Sequence, residues 1–209
     1  MDNPLIAHYR TLLARHGAVP EALQYSDAAS QAARFGVLSA VADPLGSVLD
    51  VGCGLAHLCH YLRAAGFEGR YHGVDMVPEF VELAARALGD DRHASVALGE
   101  ASGTLPTGFD YALLSGVFNN RMEDNRGFME GTLRRMFDAA ERGIAFNAMS
   151  THVDYRDPEL YYVDPMEVFG FCKTELGGHP VLRHDYVLRE DGFPFEFVMY
   201  VYKSPALAA

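Results

Sequence analysis

The sequence predicts an α/β fold in which a mostly parallel β-sheet is covered by helices, and three observations predict it. First, short apolar segments alternate with helical patterns over residues 48–148, which is typical of βαβ units. Second, a glycine-rich turn at 52–54 directly follows the first apolar segment, at the sheet edge where such folds bind ligands. Third, an Asp-Gly pair at 191–192 separates the last two β-rich segments, which predicts a hairpin and therefore an antiparallel C-terminal strand.

Two helices are expected before the sheet begins. The pair Asn3-Pro4 has the pattern of an N-cap followed by a first-turn proline, which predicts a helix over about 4–15. A second helix is expected over about 26–41. We therefore expect an N-terminal helical extension, or lid, at 1–46 and a sheet domain at 47–209.

The sheet domain is expected to contain seven strands. In chain order these are 47–51, 70–74, 93–98, 111–115, 144–148, 181–187 and 195–202. The helices expected between them are 55–65, 78–88, 126–140 and about 164–176. The segment 149–179 follows the fifth strand and is a candidate substrate cap.

The composition excludes several classes of partner. Lys and Arg total 17 against 28 Asp and Glu, a net charge of −11, so a surface that holds a nucleic acid or an anionic membrane is not expected. Three cysteines form no pairing pattern, as in proteins of a reducing compartment. The N-terminal segment does not resemble a secretory signal, and no apolar run is long enough to span a membrane. We expect a soluble, cytoplasmic protein, monomeric or homodimeric.

The glycine-rich turn points to a nucleoside ligand. Asp50-Val51-Gly52-Cys53-Gly54 joins a strand to a helix, and glycine lets a backbone pass close to a ligand. Asp75 ends the next strand, where a carboxylate can accept hydrogen bonds from both ribose hydroxyls. A dinucleotide fingerprint would need glycine at position 57, which is His57 here, and the chain has no phosphate-binding P-loop string.

The remaining pattern, Asp-x-Gly-x-Gly followed by an acid at the end of the next strand, resembles that of the class I S-adenosylmethionine-dependent methyltransferases. The resemblance covers about residues 48–148. The turn and Asp75 are similar to motifs I and II of that family. Leu98-Gly99-Glu100-Ala101 is similar to its adenine segment, and the strand from Phe109 to Ser115 to its fourth-strand motif. One departure is Ala56, where the family often has a third glycine. The resemblance implies a Rossmann-like sheet and S-adenosyl-L-methionine as cofactor.

The resemblance also implies roles for single residues. Gly52 and Gly54 would let the backbone approach the methionine portion, and Asp50 would help to hold its amino group. Asp75 would bind the ribose and Met76 would lie against the adenine. The remaining positions that the resemblance places at the cofactor are Glu100 and Ala101 at the adenine edge and the backbone of Ser115 at the amino group.

Similar methyltransferases fold an N-terminal lid over the cofactor. Tyr25 and Arg34 are the lid residues expected to contact it, and the guanidinium of Arg34 suits the cofactor carboxylate.

The acceptor side is less defined. Residues expected to bind the acceptor are Phe118, Asn119, Asn147 and Tyr155. His152 and His184 are candidate bases because a neutral imidazole can accept a proton. The Cys and His residues at 53–60 lack a zinc-ligand spacing, so no metal is expected.

These observations predict methyl transfer from S-adenosylmethionine to an oxygen or nitrogen of a small molecule, mainly by proximity and orientation. The alternatives are a non-catalytic cofactor-binding or interaction protein of the same fold, and a dehydrogenase of similar topology, which His57 disfavours.

Overall fold

The computed structural model describes residues 3–206 as one sheet with helices on both faces. The helices are α1 Pro4–His16, α2 Ala28–Ser39, α3 His57–Ala64, α4 Pro78–Leu88, α5 Asn125–Ala139 and α6 Pro165–Thr174, with a 3₁₀ helix at Pro20–Leu23. The strands are β1 Val48–Val51, β2 Tyr71–Asp75, β3 Ala94–Leu98, β4 Phe109–Leu114, β5 Ala140–Ser150, β6 Tyr162–Val163, β7 His179–Arg183 and β8 Glu196–Tyr202. Residues 1–2 of the predicted lid (1–46) and residues 207–209 of the predicted sheet domain (47–209) lie outside the described residues.

The predicted fold class is confirmed. The strand order is β3-β2-β1-β4-β5-β8-β7, with β1 to β5 parallel and β8 antiparallel to both β5 and β7. The two-residue β6 pairs with the end of β5 and is an addition to the seven expected strands. The order reverses between β1 and β4, and the carboxyl ends of parallel strands on either side of such a point form a ligand crevice.

Central strands are buried on both faces, which is why their sequences are nearly continuous apolar runs. All four residues of β1 are buried. One face packs against α5 and α6 through residues such as Leu133 and Phe171, and the other packs against α2 and α3 through Leu38 and Leu58. Both faces hold β1 rigidly, so the glycine turn after it has a fixed base.

The last hairpin differs from the prediction. The strand expected at 181–187 is His179–Arg183, and the connection therefore covers 184–195 instead of the expected 188–194. Arg183, the last residue of this strand, pairs at 2.7 Å with Asp185, which lies just beyond it. Tyr186 turns inward and donates a hydrogen bond to Glu196 at 2.9 Å. This inward turn removes residues 184–187 from the ladder.

Two local features near the site were not predicted. Helix α3 begins at His57 rather than at Leu55, because Ala56 has a left-handed backbone (φ 58°) that ends the turn. The 3₁₀ helix Pro20–Leu23 joins α1 to α2. Within residues 3–206, no helix is long and apolar enough to cross a membrane.

Helix α1 is packed against the sheet domain. The ring of Tyr9 meets Phe80 of α4 edge to face, with centroids 5.7 Å apart. Leu13 and Leu23 pack into the same apolar cluster with Phe80. Arg10 and Glu79 pair at 2.7 Å, but both side chains are about 40% exposed, so this pair adds little to stability. Apolar contact therefore holds the N-terminal helix in place.

Candidate active site

A cavity of about 750 Å³ lies over the carboxyl ends of β1, β2 and β4, under α1 and α2. This volume is in the range of small-molecule sites. Nine of the ten residues predicted to contact the cofactor border it: Tyr25, Asp50, Gly52, Gly54, Asp75, Met76, Glu100, Ala101 and Ser115. The sheet edge and the N-terminal helices thus enclose one space.

The glycine turn forms the floor of this cavity. Gly52 and Gly54 both have positive φ, 76° and 53°, a conformation that other residues adopt only with strain. A Cβ on Gly52 would lie 2.3 Å from the Val117 side chain, and one on Gly54 would lie 2.8 Å from Leu23. The glycines therefore make room for neighbouring segments of the chain as well as for a ligand, and these neighbours are too distant in sequence to be predicted.

Asp75 is held by the glycine turn and by the start of the next helix. Its Oδ2 accepts the Gly54 N–H at 2.8 Å and its Oδ1 accepts the Val77 N–H at 2.9 Å. Asp75 is only 8% exposed, and this burial raises the pKa of its carboxyl. Each carboxylate oxygen still has capacity for a further donor, so the group can accept two hydroxyls from the cavity side.

Asp50 lies beneath the turn. Its Oδ2 accepts the Tyr71 hydroxyl at 2.6 Å. Burial raises the pKa of Asp50 to about 7, and the charge of Asp75 acts in the same direction, while the Tyr71 bond opposes it. Two buried carboxyls at one end of the cavity favour a cationic group between or near them.

Tyr25 closes the cavity from the lid side. Its hydroxyl lies 3.0 Å from the Ser115 Oγ, which follows β4. Burial raises the pKa of the Tyr25 hydroxyl, so it remains protonated. The side chain of Gln31 on α2 also borders the cavity and contacts His57 Nδ1 at 3.0 Å. Gln31 lies one helical turn before Arg34 on the same helix.

Arg34 does not take its predicted place. It is absent from the cavity wall, and its guanidinium Nε pairs with Glu196 Oε2 at 2.8 Å. The sequence could not reveal this partner, because Glu196 lies 162 residues further along the chain. The prediction that Arg34 contacts the cofactor carboxylate is therefore corrected.

The predicted acceptor residues lie away from the cavity as well. Phe118 is 2% exposed and packs edge to face on Phe146 in the core. Tyr155 is 74% exposed and does not border the cavity. Asn119 does not border the cavity, whereas its neighbour Asn120 does. Asn147 is buried behind the wall, where it accepts the Gly116 N–H at 2.8 Å.

Neither candidate base borders the cavity. His152 and His184 have ring centroids 6.1 Å apart, and His184 packs edge to face on Phe197, which belongs to the core cluster that includes α5 and α6. The histidines that do border the cavity are His8 and His57. The roles proposed for His152 and His184 are corrected for this reason.

The outer part of the cavity is lined by the lid and by the loop after β4. Its lining includes Leu5, His8, Tyr9, Gln24, Asn120, Arg121, Met122, Glu123, Phe128, Glu159 and Leu160. Asn120 ties these segments together, donating to the Tyr9 hydroxyl at 3.1 Å and to Gln24 Oε1 at 3.0 Å. The i, i+4 spacing of Leu5, Tyr9 and Leu13 on one helix face was the signal that could have shown which face of the predicted helix α1 packs over the site.

Only the middle of the predicted cap at 149–179 borders the cavity. Glu159 and Leu160 border the cavity, but α6 covers the sheet, with Val168, Phe171 and Cys172 in the core. Most of the segment is therefore part of the sheet domain.

Comparisons with known proteins agree with this geometry. Residues 42–156 match the family model described as a methyltransferase domain. A Mycobacterium tuberculosis protein named "Putative methyltransferase Rv1506c" is 35% identical over 170 residues, covering 78% of this chain and 96% of its own.

Solved structures share the fold at low identity. The magnesium protoporphyrin IX methyltransferase of Synechocystis PCC 6803, solved with S-adenosylhomocysteine, has a TM-score of 0.66 at 14% identity and 84% coverage of both chains. An S-adenosylmethionine-dependent methyltransferase from Mesorhizobium loti has a TM-score of 0.62 at 14% identity, covering 82% of this chain and 98% of its own. The two sequence matches show that the chain belongs to the methyltransferase-domain family, and its fold is the one that these solved S-adenosylmethionine-dependent methyltransferases share.

Proposed function

We propose that the protein transfers the methyl group of S-adenosylmethionine to an oxygen or nitrogen of a small molecule. The observation that carries the proposal is the single cavity that joins the strand-end acids to an outer chamber under α1. Within its volume of about 750 Å³, a nucleoside cofactor and a compact acceptor fit side by side.

The residues at the inner end match the chemistry of the cofactor. Asp75 offers acceptors to the ribose hydroxyls, and Met76 offers an apolar surface to the adenine. Glu100 and Ala101 border the adenine end. The buried carboxyl of Asp50 suits the amino group of the methionine portion. When bound, the sulfonium of the cofactor supplies an already activated methyl group.

The residues of the outer chamber position the acceptor and exclude water. Leu5, Met122, Phe128 and Leu160 give it apolar walls, and Tyr9 closes it against α4. A dry chamber that holds the nucleophile in line provides most of the rate gain that such a reaction needs. A small acceptor is favoured because α1 and the loop at 120–123 cover the chamber, and because the net charge of −11 disfavours nucleic acid.

The proposal is tested by transfer of a labelled methyl group. The protein is incubated with methyl-tritiated S-adenosylmethionine and a fractionated extract of small metabolites, and products are separated by chromatography and mass spectrometry. We expect a labelled product below about 1 kDa that carries the methyl on oxygen or nitrogen, together with S-adenosylhomocysteine.

A matched control identifies background transfer. Asp110→Ala removes a carboxylate that bonds Ser47 outside the cavity, whereas Asp75→Ala removes one that borders it. Loss of labelling in the Asp75 variant alone supports the proposal. Label on a carbon or sulfur atom, or only in macromolecules, would refute the stated acceptor class.

A further inference from the structure

A buried ion pair joins the lid helix α2 to strand β8. Arg34 Nε and Glu196 Oε2 are 2.8 Å apart, and their side chains are 12% and 2% exposed. Burying such a pair costs desolvation that the attraction repays only partly, so it is weak evidence for a stabilising role. The Glu196 carboxylate also accepts hydrogen bonds from other residues, and these bonds indicate what the ion pair does.

The second oxygen of Glu196 fixes the orientation of an amide behind the cavity. Oε1 accepts the Tyr186 hydroxyl at 2.9 Å and the Asn147 Nδ2 at 3.3 Å. A carboxylate only accepts hydrogen bonds, so the NH₂ group of Asn147 must face it. The Asn147 oxygen then faces the opposite way, where it accepts the Gly116 N–H at 2.8 Å.

This last bond orients a peptide group of the cavity wall. The 115–116 peptide is trans, so its carbonyl points opposite to its N–H. Gly116 borders the cavity and Asn147 lies behind it. With the Gly116 N–H directed back to Asn147, the Ser115 carbonyl is directed toward the cavity.

A second contact converges on Ser115 from the lid. The Arg34 guanidinium lies over the Tyr25 ring, 5.4 Å from its centroid. The Tyr25 hydroxyl meets the Ser115 Oγ at 3.0 Å. The lid helix therefore reaches Ser115 both through the aromatic ring and through the ion pair.

We propose that Arg34, Glu196 and Asn147 are positioning residues that hold the Ser115 carbonyl toward the amino group of the bound cofactor. This inference rests on the proposed function, because it assumes that the methionine portion lies between Asp50 and Ser115. The three side chains act through the 115–116 peptide and not by touching the ligand.

The test compares two ligands that share an adenosine but differ in the amino-acid portion. S-adenosylhomocysteine carries the amino group, and 5′-methylthioadenosine does not. Calorimetry measures both dissociation constants for the wild type and for Asn147→Ala, which leaves the Arg34–Glu196 pair in place. We expect the Kd for S-adenosylhomocysteine to rise about tenfold, the loss of one hydrogen bond to a charged group, and that for methylthioadenosine to change less than about twofold.

Further variants separate positioning from loss of stability. Arg34→Met should show the same selective loss, and Arg34→Lys, which retains the charge, should recover most of the affinity. Arg63→Met is the matched control, because Arg63 also pairs with an acid at 2.8 Å, Asp91, but does not border the cavity. It should lower the melting temperature and leave both dissociation constants unchanged.

The outcomes are distinguishable. If Asn147→Ala does not fold, the contrast between Arg34→Met and Arg34→Lys still decides. An equal loss for both ligands, or no loss for either, overturns the positioning role. A wild type that binds neither ligand contradicts the proposed function itself.

Discussion

Replacing Asp75 with alanine is expected to weaken both cofactor binding and folding stability, for separable reasons. The carboxylate faces the cavity, where the ribose hydroxyls are expected. It also accepts the backbone N–H groups of Gly54 and Val77 at 2.8 and 2.9 Å. A solvated carboxylate at a strand end would be dispensable for folding, but Asp75 is only 8% exposed.

The magnitudes follow from these contacts. Hydrogen bonds to a charged group contribute about 1.5–3 kcal/mol, so the Kd for S-adenosylhomocysteine should rise by roughly 10- to 150-fold. The two N–H groups left without partners cost about 1–3 kcal/mol each. Burial raises the pKa of the Asp75 carboxyl, which shows that burying its charge is unfavourable. Removing this carboxyl therefore offsets part of that cost. The net loss of about 1–3 kcal/mol corresponds to a fall of about 2–12 °C in melting temperature.

Calorimetry and thermal unfolding measure the two losses side by side. Asp110→Ala is the matched control, because Asp110 accepts the backbone N–H and the hydroxyl of Ser47 at 2.8 and 2.7 Å, outside the cavity. The control should lose stability without losing affinity. If Asp75→Ala binds S-adenosylhomocysteine as the wild type does while its melting temperature falls, the assignment of the ribose to Asp75 is refuted.

Three further predictions concern the floor and the lid of the cavity. Because burial raises the pKa of Asp50 to about 7, affinity for S-adenosylhomocysteine should increase as pH rises through 7 and the carboxylate forms, and Asp50→Asn should flatten this profile. Through the same raised pKa, Asp50 should lower the stability of the wild type as pH rises from about 4 to 7, and the Asp50→Asn variant should lack this contribution in denaturant titrations. Gly52→Val should abolish cofactor binding and lower the melting temperature, because a Cβ at this position would lie 2.3 Å from the Val117 side chain and the backbone φ is 76°. An unchanged dissociation constant for S-adenosylhomocysteine would contradict this prediction. Deleting residues 1–24 should leave the sheet folded but expose the apolar surface of Phe80. In the wild type, hydrogen exchange of the same segment should slow when S-adenosylhomocysteine binds. Equal protection with and without ligand would mean that the segment is a fixed part of the core.

The inner half of the site could be predicted because it is local in sequence. The positive φ of Gly52 and Gly54, and the strand ending at Asp75, follow from short-range patterns of residue type. The alternation of strands and helices fixes the sheet edge at which they meet. For these positions, a few neighbouring residues carry nearly all the information.

The outer half could not be predicted in this way because its contacts join distant segments. Arg34 was assigned to the cofactor because it lies in the predicted lid and its guanidinium suits a carboxylate, but its partner Glu196 comes from the last strand. Phe118 and Asn119 follow β4 as expected, but the turn directs Phe118 into the core and presents Asn120 to the cavity. Which side of a loop faces a cavity depends on tertiary packing, and composition does not record it.

A crystal structure with S-adenosylhomocysteine tests the central claim most directly. We expect the ribose hydroxyls on Asp75, the amino group between Asp50 and the Ser115 carbonyl, and the sulfur directed toward the chamber under α1. A ligand bound with its adenosine in the outer chamber, or outside this cavity altogether, would contradict the assignment of the cofactor to the strand-end acids.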